Sequence, residues 1–295
     1  MQRIIVLGAG AIGSYYGALL SRGNDVLLVG RTPHIDAINS RGLTIRGEVK
    51  GNFRVQAADK VSEVPPNALI LLTTKAYDSE EAVSSIKDKL LDDTVILVLQ
   101  NGLGNEDIVK RITGTRVKVL RGLLTSGVES VQPGTIAVKL VGETVVEDTA
   151  LGKRIADTFN EAGLKTRLSD SMQVEIWRKL VMNCVINPLS ALLRVVDKEL
   201  ASPHLAGLKK QIVDECLSVA EAEGVTLEAD LLAQLDRVIP TYGNYSSMCQ
   251  DIMRGAATEI EFLNGRIVEL GKRHNIPTPT NVAIVSLIKF LEGRK

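Results

Sequence analysis

The stretch "RIIVLGAGAIGSYYGALLSRG", residues 3–23, decides how the first half of the chain folds. It opens with a short, continuous apolar run, the pattern of a strand buried on both faces of a parallel sheet. Gly8, Gly10 and Gly13 follow at once, and a helical pattern begins among them. Gly8 permits the tight turn, Gly10 lets backbone approach a pyrophosphate, and Gly13 allows the helix to lie close on the strand. The helix start then offers free N–H groups to the anion. Three glycines at this spacing are weak evidence alone, because they also occur by chance. Here the strand–turn–helix context is the one the chemistry requires. Gly8, Ala9, Gly10, Ala11, Ile12 and Gly13 are therefore read as a dinucleotide-binding loop.

Working outward, "DVLLVG", "ALILLTT" and "TVILVLQ" read as further buried strands, alternating with helical segments such as "SEEAVSSIKDKLL". "GLTIRGEVKGNFRVQ" breaks the rhythm as a hairpin of two short strands, and "GTIAVKLVGETVVE" suggests antiparallel additions to the sheet. From about residue 170 the pattern turns helical, through "MQVEIWRKLVMNCVI", "LAGLKKQIVDECLSVAEAEG" and "SSMCQDIMRGAATEIEFLNGRIVELGKRHN". The expected architecture is an α/β Rossmann-like doubly wound domain over residues 1–168 and an all-α domain over 169–295.

Composition supports a globular chain. Its 295 residues suffice for two domains, and 45% are hydrophobic, which argues against disorder. Thirty-five basic residues balance thirty-five acidic ones, so nucleic acid and anionic membrane are not expected partners. No apolar run approaches the roughly 18 residues a membrane span needs, and no targeting segment precedes "RIIVLG". Cys184, Cys216 and Cys249 read as buried free thiols of a reducing compartment. His34, His204 and His274 lack ligand spacing, so no metal site is expected. A soluble cytoplasmic protein is the expectation.

The end of the second strand bears on which dinucleotide binds. NAD enzymes usually place Asp or Glu there to hold the ribose hydroxyls. This segment has Gly30, Arg31 and Thr32 instead, and a guanidinium suits a 2′-phosphate. NADPH is the expected cofactor. Lys75 and Asn101 sit just past two further strands, where ligands of open parallel sheets bind. A loop lysine is also commonly just solvated, and Asn-Gly commonly just a turn. The residues alone leave both readings open.

In "WRKLVMNCVINP", residues 177–188, Lys179, Asn183 and Asn187 recur at steps of four in an otherwise apolar helix with a proline stop. Each step drifts only about 40°, so the three share a stripe. Carbonyl reduction needs a proton donor at the oxygen, and a partly buried lysine would have a lowered pKa. A snorkelling lysine and two backbone-capping amides fit the spacing equally well. A second polar set, Asn244, Ser246, Ser247, Glu259, Glu261 and Asn264, lies in "NYSSMCQDIMRGAATEIEFLNG". Ser247 and Glu259 would be about 18 Å apart on one straight helix, too far for one compact ligand. Either the helix breaks, for which Gly255 offers a place, or one of the two lies peripheral.

Taken together, "GAGAIG", "TTKAYD", "QNGLGN", "WRKLVMNCVINPLSAL" and "SSMCQDIMRGAATEIEFLNG" resemble the ketopantoate reductase (2-dehydropantoate 2-reductase) family over essentially the whole chain. The last two segments are the specific ones. The resemblance implies a helical domain like the C-terminal domain of 6-phosphogluconate dehydrogenase. It also implies NADPH-dependent reduction of ketopantoate to (R)-pantoate, a step toward pantothenate and coenzyme A. By the resemblance Lys179 is the general acid and Glu259 the second essential polar residue. Asn183, Asn187, Asn244 and Ser247 match substrate-binding positions, and Arg31 and Lys75 match cofactor contacts. Asn101 matches a position between nicotinamide and substrate. One departure is "IAVKLVG" near residue 140, where many relatives carry His-x-Gly; it leaves substrate preference less determined than reaction type. Another small 2-keto acid, or an NADPH sensor without turnover, remain alternatives. Apolar faces to spare in the helical part leave room for a homodimer.

Overall fold

The computed structural model describes residues 3–294. They gather into two compact units: one runs to Gln100 and resumes over Gly104–Met172, and the other joins Asn101–Leu103 to the chain from Gln173 onward.

The first unit begins with β1 (Ile4–Leu7), α1 (Ala11–Leu20), β2 (Val26–Val29) and α2 (Thr32–Arg41). The strands β3 (Leu43–Gly47), β4 (Gly51–Phe53), β5 (Gln56–Ala58) and β6 (Leu69–Leu72) follow, then α3 (Ser79–Ser84), β7 (Val95–Val98) and α4 (Asn105–Thr113). It closes with β8 (Lys118–Leu124), β9 (Gly127–Gln132), β10 (Thr135–Leu140), β11 (Thr144–Glu147), α5 (Ala150–Glu161) and β12 (Thr166–Ser169). Eight strands form one sheet in the order β12-β11-β8-β7-β6-β1-β2-β5. From β5 across to β8 every pairing is parallel, while β11 runs antiparallel to β8. Side chains alternate between the faces of this sheet. Ile4 and Val6 of β1 pack into one apolar cluster, Ile5 and Leu7 into another, so both faces are covered. This is why its strands read as unbroken apolar runs.

The expected hairpin forms as β3 and β4, but in a separate four-stranded sheet, β4-β3-β10-β9. Of the antiparallel additions anticipated around residue 140, β11 joins the main sheet. By contrast, β10 lies in the second sheet, antiparallel to β9 and parallel to β3. That sheet contributes Ile45, Ile136 and Val138 to the same cluster as Tyr15 and Tyr16 of α1.

The second unit is helical: α6 (Met172–Leu193), α7 (Ala206–Ala222), α8 (Leu231–Val238), α9 (Ser247–Met253), α10 (Asn264–His274) and α11 (Pro279–Glu292). Trp177, Leu180, Val181, Cys184, Val185 and Leu189 of α6 all enter one core with residues of α7, α10 and α11. A helix that places so many apolar residues in one core is a central helix. Contrary to the expected proline stop, α6 continues through Pro188 to Leu193. Proline has no N–H, so the carbonyl four residues back, on Cys184, loses its helical donor. Asn264 replaces that donor: its Nδ2 donates to Cys184 O at 2.9 Å and to Asn281 Oδ1 at 2.9 Å. Asn281 is held in turn by Glu215, whose carboxylate accepts from Asn281 Nδ2 at 2.7 Å and from the Thr280 and Asn281 backbone amides at the start of α11. The three cysteines are buried and unpaired. Among the described residues no helix is long and apolar enough to cross a membrane.

Candidate functional site

The loop between β1 and α1 lies where the strand order reverses, with β2 on one side of β1 and β6 on the other. Ligands of open parallel sheets bind beyond the carboxyl ends of the strands at such a point. Gly8 sits at φ +114°, and a Cβ there would lie 2.4 Å from Thr74 N. On Gly13 a Cβ would meet Gly8 O at 2.2 Å, so only glycine lets α1 start this close to β1. Gly10 is the opposite case, since a Cβ would meet nothing within 4 Å. No side chain caps the first turn of α1. A glycine facing open space beside uncapped helix amides is a cradle that a pyrophosphate fits.

Arg31 precedes α2 and is exposed. The absence of a carboxylate from its own segment does not describe its surroundings. Asp78, from the turn after β6, places Oδ2 at 3.4 Å from Arg31 Nη2. Folding thus supplies, from a distant loop, the kind of acid that the β2 segment lacks.

Lys75 is half-buried and opens the 3-10 turn Ala76–Asp78. Its loop is fixed by Gln100, a residue the sequence reading passed over. Gln100 Nε2 lies within hydrogen-bonding distance of Thr74 O, Thr74 Oγ1, Lys75 O and Ser79 Oγ, at 2.7 to 3.3 Å. The carbonyl of Gln100 accepts from the buried Arg121 Nη2 at 2.6 Å. A glutamine closing the apolar run "TVILVL" was the available signal, a polar side chain at a buried strand end that must find partners.

In the second unit Lys179 and Asn183 are half-buried and Asn187 is buried. The turn bearing Asn187 is tied to the start of α9. Ser246 Oγ donates to Asn187 O at 3.3 Å and accepts from Cys249 N–H at 3.1 Å as the helix cap. Its neighbours Asn244 and Ser247 are thereby brought to the C-terminal half of α6, with Ser247 exposed. The helix of Ser247 does break: α9 ends at Met253 and Gly255 takes φ +67°. Glu259 then begins a separate short turn and is buried, 7% exposed. Thr258 N–H donates to Glu292 Oε1 at 2.7 Å, which fastens that turn to α11. The segment that follows Asn101 meets the same turn, where Leu103 N–H donates to Phe262 O at 3.2 Å. A Cβ on the intervening Gly102 would lie 2.3 Å from that oxygen. Within this unit Asn187, Asn244 and Ser247 gather at one end of α6, while Gly102 and Leu103, next to Asn101, pack on the turn that Glu259 opens.

Comparison with known proteins decides the family. Residues 4–151 match the family model "Ketopantoate reductase PanE/ApbA", and residues 171–292 match its C-terminal counterpart. The chain belongs to the ketopantoate reductase family. It is 39% identical to the 2-dehydropantoate 2-reductase of Pyrococcus abyssi, over 100% of both chains. Among solved structures it resembles a family ketopantoate reductase from Ralstonia eutropha JMP134, with 31% identity, TM-score 0.91, and 99% and 98% of the two chains covered. It also resembles D-mandelate dehydrogenase in a ternary structure with NADH and anilino(oxo)acetate, at 29% identity and TM-score 0.90, over 99% and 98% of the chains. Family membership accounts for the architecture, a parallel-rich sheet with helices followed by an all-helical part, and marks the chain as a nicotinamide-dependent oxidoreductase of CH–OH groups.

Proposed function

We propose that this chain reduces ketopantoate to (R)-pantoate with NADPH. The observation that supports it best is the stripe on α6, half-buried Lys179 and Asn183 with buried Asn187, tethered to the segment that bears Asn244 and Ser247. Polar groups held at this depth require hydrogen-bonding partners, and a keto acid is one that an amine and two amides suit.

In this reading Gly8, Ala9, Gly10, Ala11, Ile12 and Gly13 hold the pyrophosphate, Arg31 pairs with the 2′-phosphate, and Lys75 is a further cofactor contact. When bound, the reduced nicotinamide supplies the hydride for C2 of the keto acid. Lys179 gives its proton to the C2 oxygen as that oxygen gains charge, so the alkoxide never stands free. Asn183, Asn187, Asn244 and Ser247 bind the substrate's carboxylate and hydroxyl. Glu259 is the second essential polar residue at the substrate, and Asn101 lies between nicotinamide and substrate. The product would feed pantothenate and coenzyme A synthesis.

A second reading, NADH-dependent reduction of another 2-keto acid, draws on two observations: Asp78 beside Arg31, and the likeness to an NADH-bound D-mandelate dehydrogenase. Oxidation of NADPH and of NADH, each with ketopantoate and a panel of 2-keto acids, separates the two. The proposal expects the highest kcat/KM for NADPH with ketopantoate. A higher value for another keto acid or for NADH would favour the second reading.

A further inference from the structure

Asn244 is gripped from two sides. Its Nδ2 donates to Asp197 Oδ2 at 3.2 Å and to Tyr245 O at 3.1 Å. The backbones pair as well, Asp197 N–H donating to Asn244 O at 2.9 Å and Lys198 N–H to Tyr242 O at 2.9 Å. Asp197 is 4% exposed, and its second oxygen, Oδ1, is buried with no hydrogen-bond partner among the described residues.

An amide side chain has two ends of opposite character and can be turned either way round. A carboxylate only accepts, so the NH2 end of Asn244 must face Asp197. With both Nδ2 hydrogens engaged, the group that Asn244 has left to offer a ligand is Oδ1, an acceptor. An acceptor repels a substrate carboxylate and welcomes a hydroxyl.

We propose that Asp197 is a positioning residue that locks the Asn244 amide with its oxygen toward the ligand, and so selects a 2-keto acid bearing a hydroxyl. The proposal rests on the reading above, that Asn244 faces substrate. Burial pushes the Asp197 carboxyl up to about 6, with the Ser190 hydroxyl and the Ser246 backbone amide offsetting part of the rise. An assay well above that value keeps it ionised and acceptor-only.

The test compares kcat/KM for ketopantoate with that for trimethylpyruvate, the same keto acid without the hydroxyl, in wild type and Asp197→Ala. Wild type should favour ketopantoate by roughly tenfold or more, since a buried acceptor left unmatched opposes the analogue. Asp197→Ala should bring the ratio toward one by raising KM for ketopantoate roughly tenfold, with kcat and the analogue's KM little changed. Should that variant not fold, Asp197→Ser serves with the same expectation. Its hydroxyl both donates and accepts, so it keeps a polar group in place but no longer fixes the amide. A ratio unchanged in the variants, or an equal loss for both substrates through kcat, overturns the positioning role. Wild type that turns over both keto acids without preference overturns it while the reductase reading stands. Wild type that reduces neither overturns that reading, and this one with it.

Discussion

Replacing Asn264 by Ala removes the donor that lets α6 run through Pro188. Asn264, Cys184 and Asn281 are all 0% exposed, so water does not substitute for it. Two buried acceptors, Cys184 O and Asn281 Oδ1, lose the bonds they receive at 2.9 Å. At about 1–3 kcal/mol for each buried group left unsatisfied, the expected destabilisation is about 3 kcal/mol. For a domain of this size that lowers Tm by roughly 6–12 °C. The specific claim is the link to Pro188, and a double-mutant cycle isolates it. In Pro188→Ala, residue 188 regains an N–H that can serve Cys184 O, so Asn264→Ala should cost about 1 kcal/mol less in that background. Urea unfolding of wild type, both single variants and the double variant, followed by far-UV circular dichroism, supplies the four free energies. Costs that add within about 0.5 kcal/mol would refute the idea that Asn264 substitutes for the missing helix donor.

Gly13→Ala forces a Cβ to within 2.2 Å of Gly8 O and 2.6 Å of Thr73 Oγ1, so it should displace the loop and raise cofactor Kd by roughly tenfold or more; titration of cofactor fluorescence checks this, and unchanged affinity would count against the cradle. Arg31→Ala should raise KM for NADPH while leaving NADH nearly unaffected, and Asp78→Asn should lower KM for NADPH by a few fold, because it removes the charge opposing a 2′-phosphate. Parallel kinetics with both cofactors test the pair, and equal effects on NADPH and NADH would argue against a 2′-phosphate role. Asp197 also predicts a pH dependence of stability. Its folded value of about 6 lies above the ordinary 3.8, so the folded chain holds this proton more tightly than the unfolded one. The resulting stabilisation is complete below about 3.8 and is lost as pH rises through about 6, by up to about 3 kcal/mol. Asp197→Asn should remove that slope in urea unfolding at about pH 5 and pH 8. A slope identical to wild type would contradict the assignment.

What the sequence disclosed was local. The glycine loop and the parallel strands were legible because a buried strand and a tight turn write their needs into adjacent residues. The α6 stripe was legible because Lys179, Asn183 and Asn187 stand out against apolar neighbours at helical spacing. Pro188 was misread as a stop because its remedy lies elsewhere: Asn264 is 80 residues beyond the carbonyl it serves. Asp78 escaped for the same reason, 47 residues from Arg31. The second sheet depends on pairing β3 with β10, and no local pattern encodes a partner that far along the chain. Gln100 was readable as a polar group closing an apolar run, whereas Asp197, followed directly by Lys198 and Glu199, looked like one more surface charge. Which groups they would hold in place came only with the fold.

The central claim is that the lysine on α6 is the proton donor. Steady-state oxidation of NADPH by ketopantoate, compared between wild type and Lys179→Ala, tests it most directly. The account predicts a fall in kcat of at least about 100-fold, the loss expected for a positioned acid, with cofactor binding unchanged. Turnover near that of wild type in the variant would contradict it.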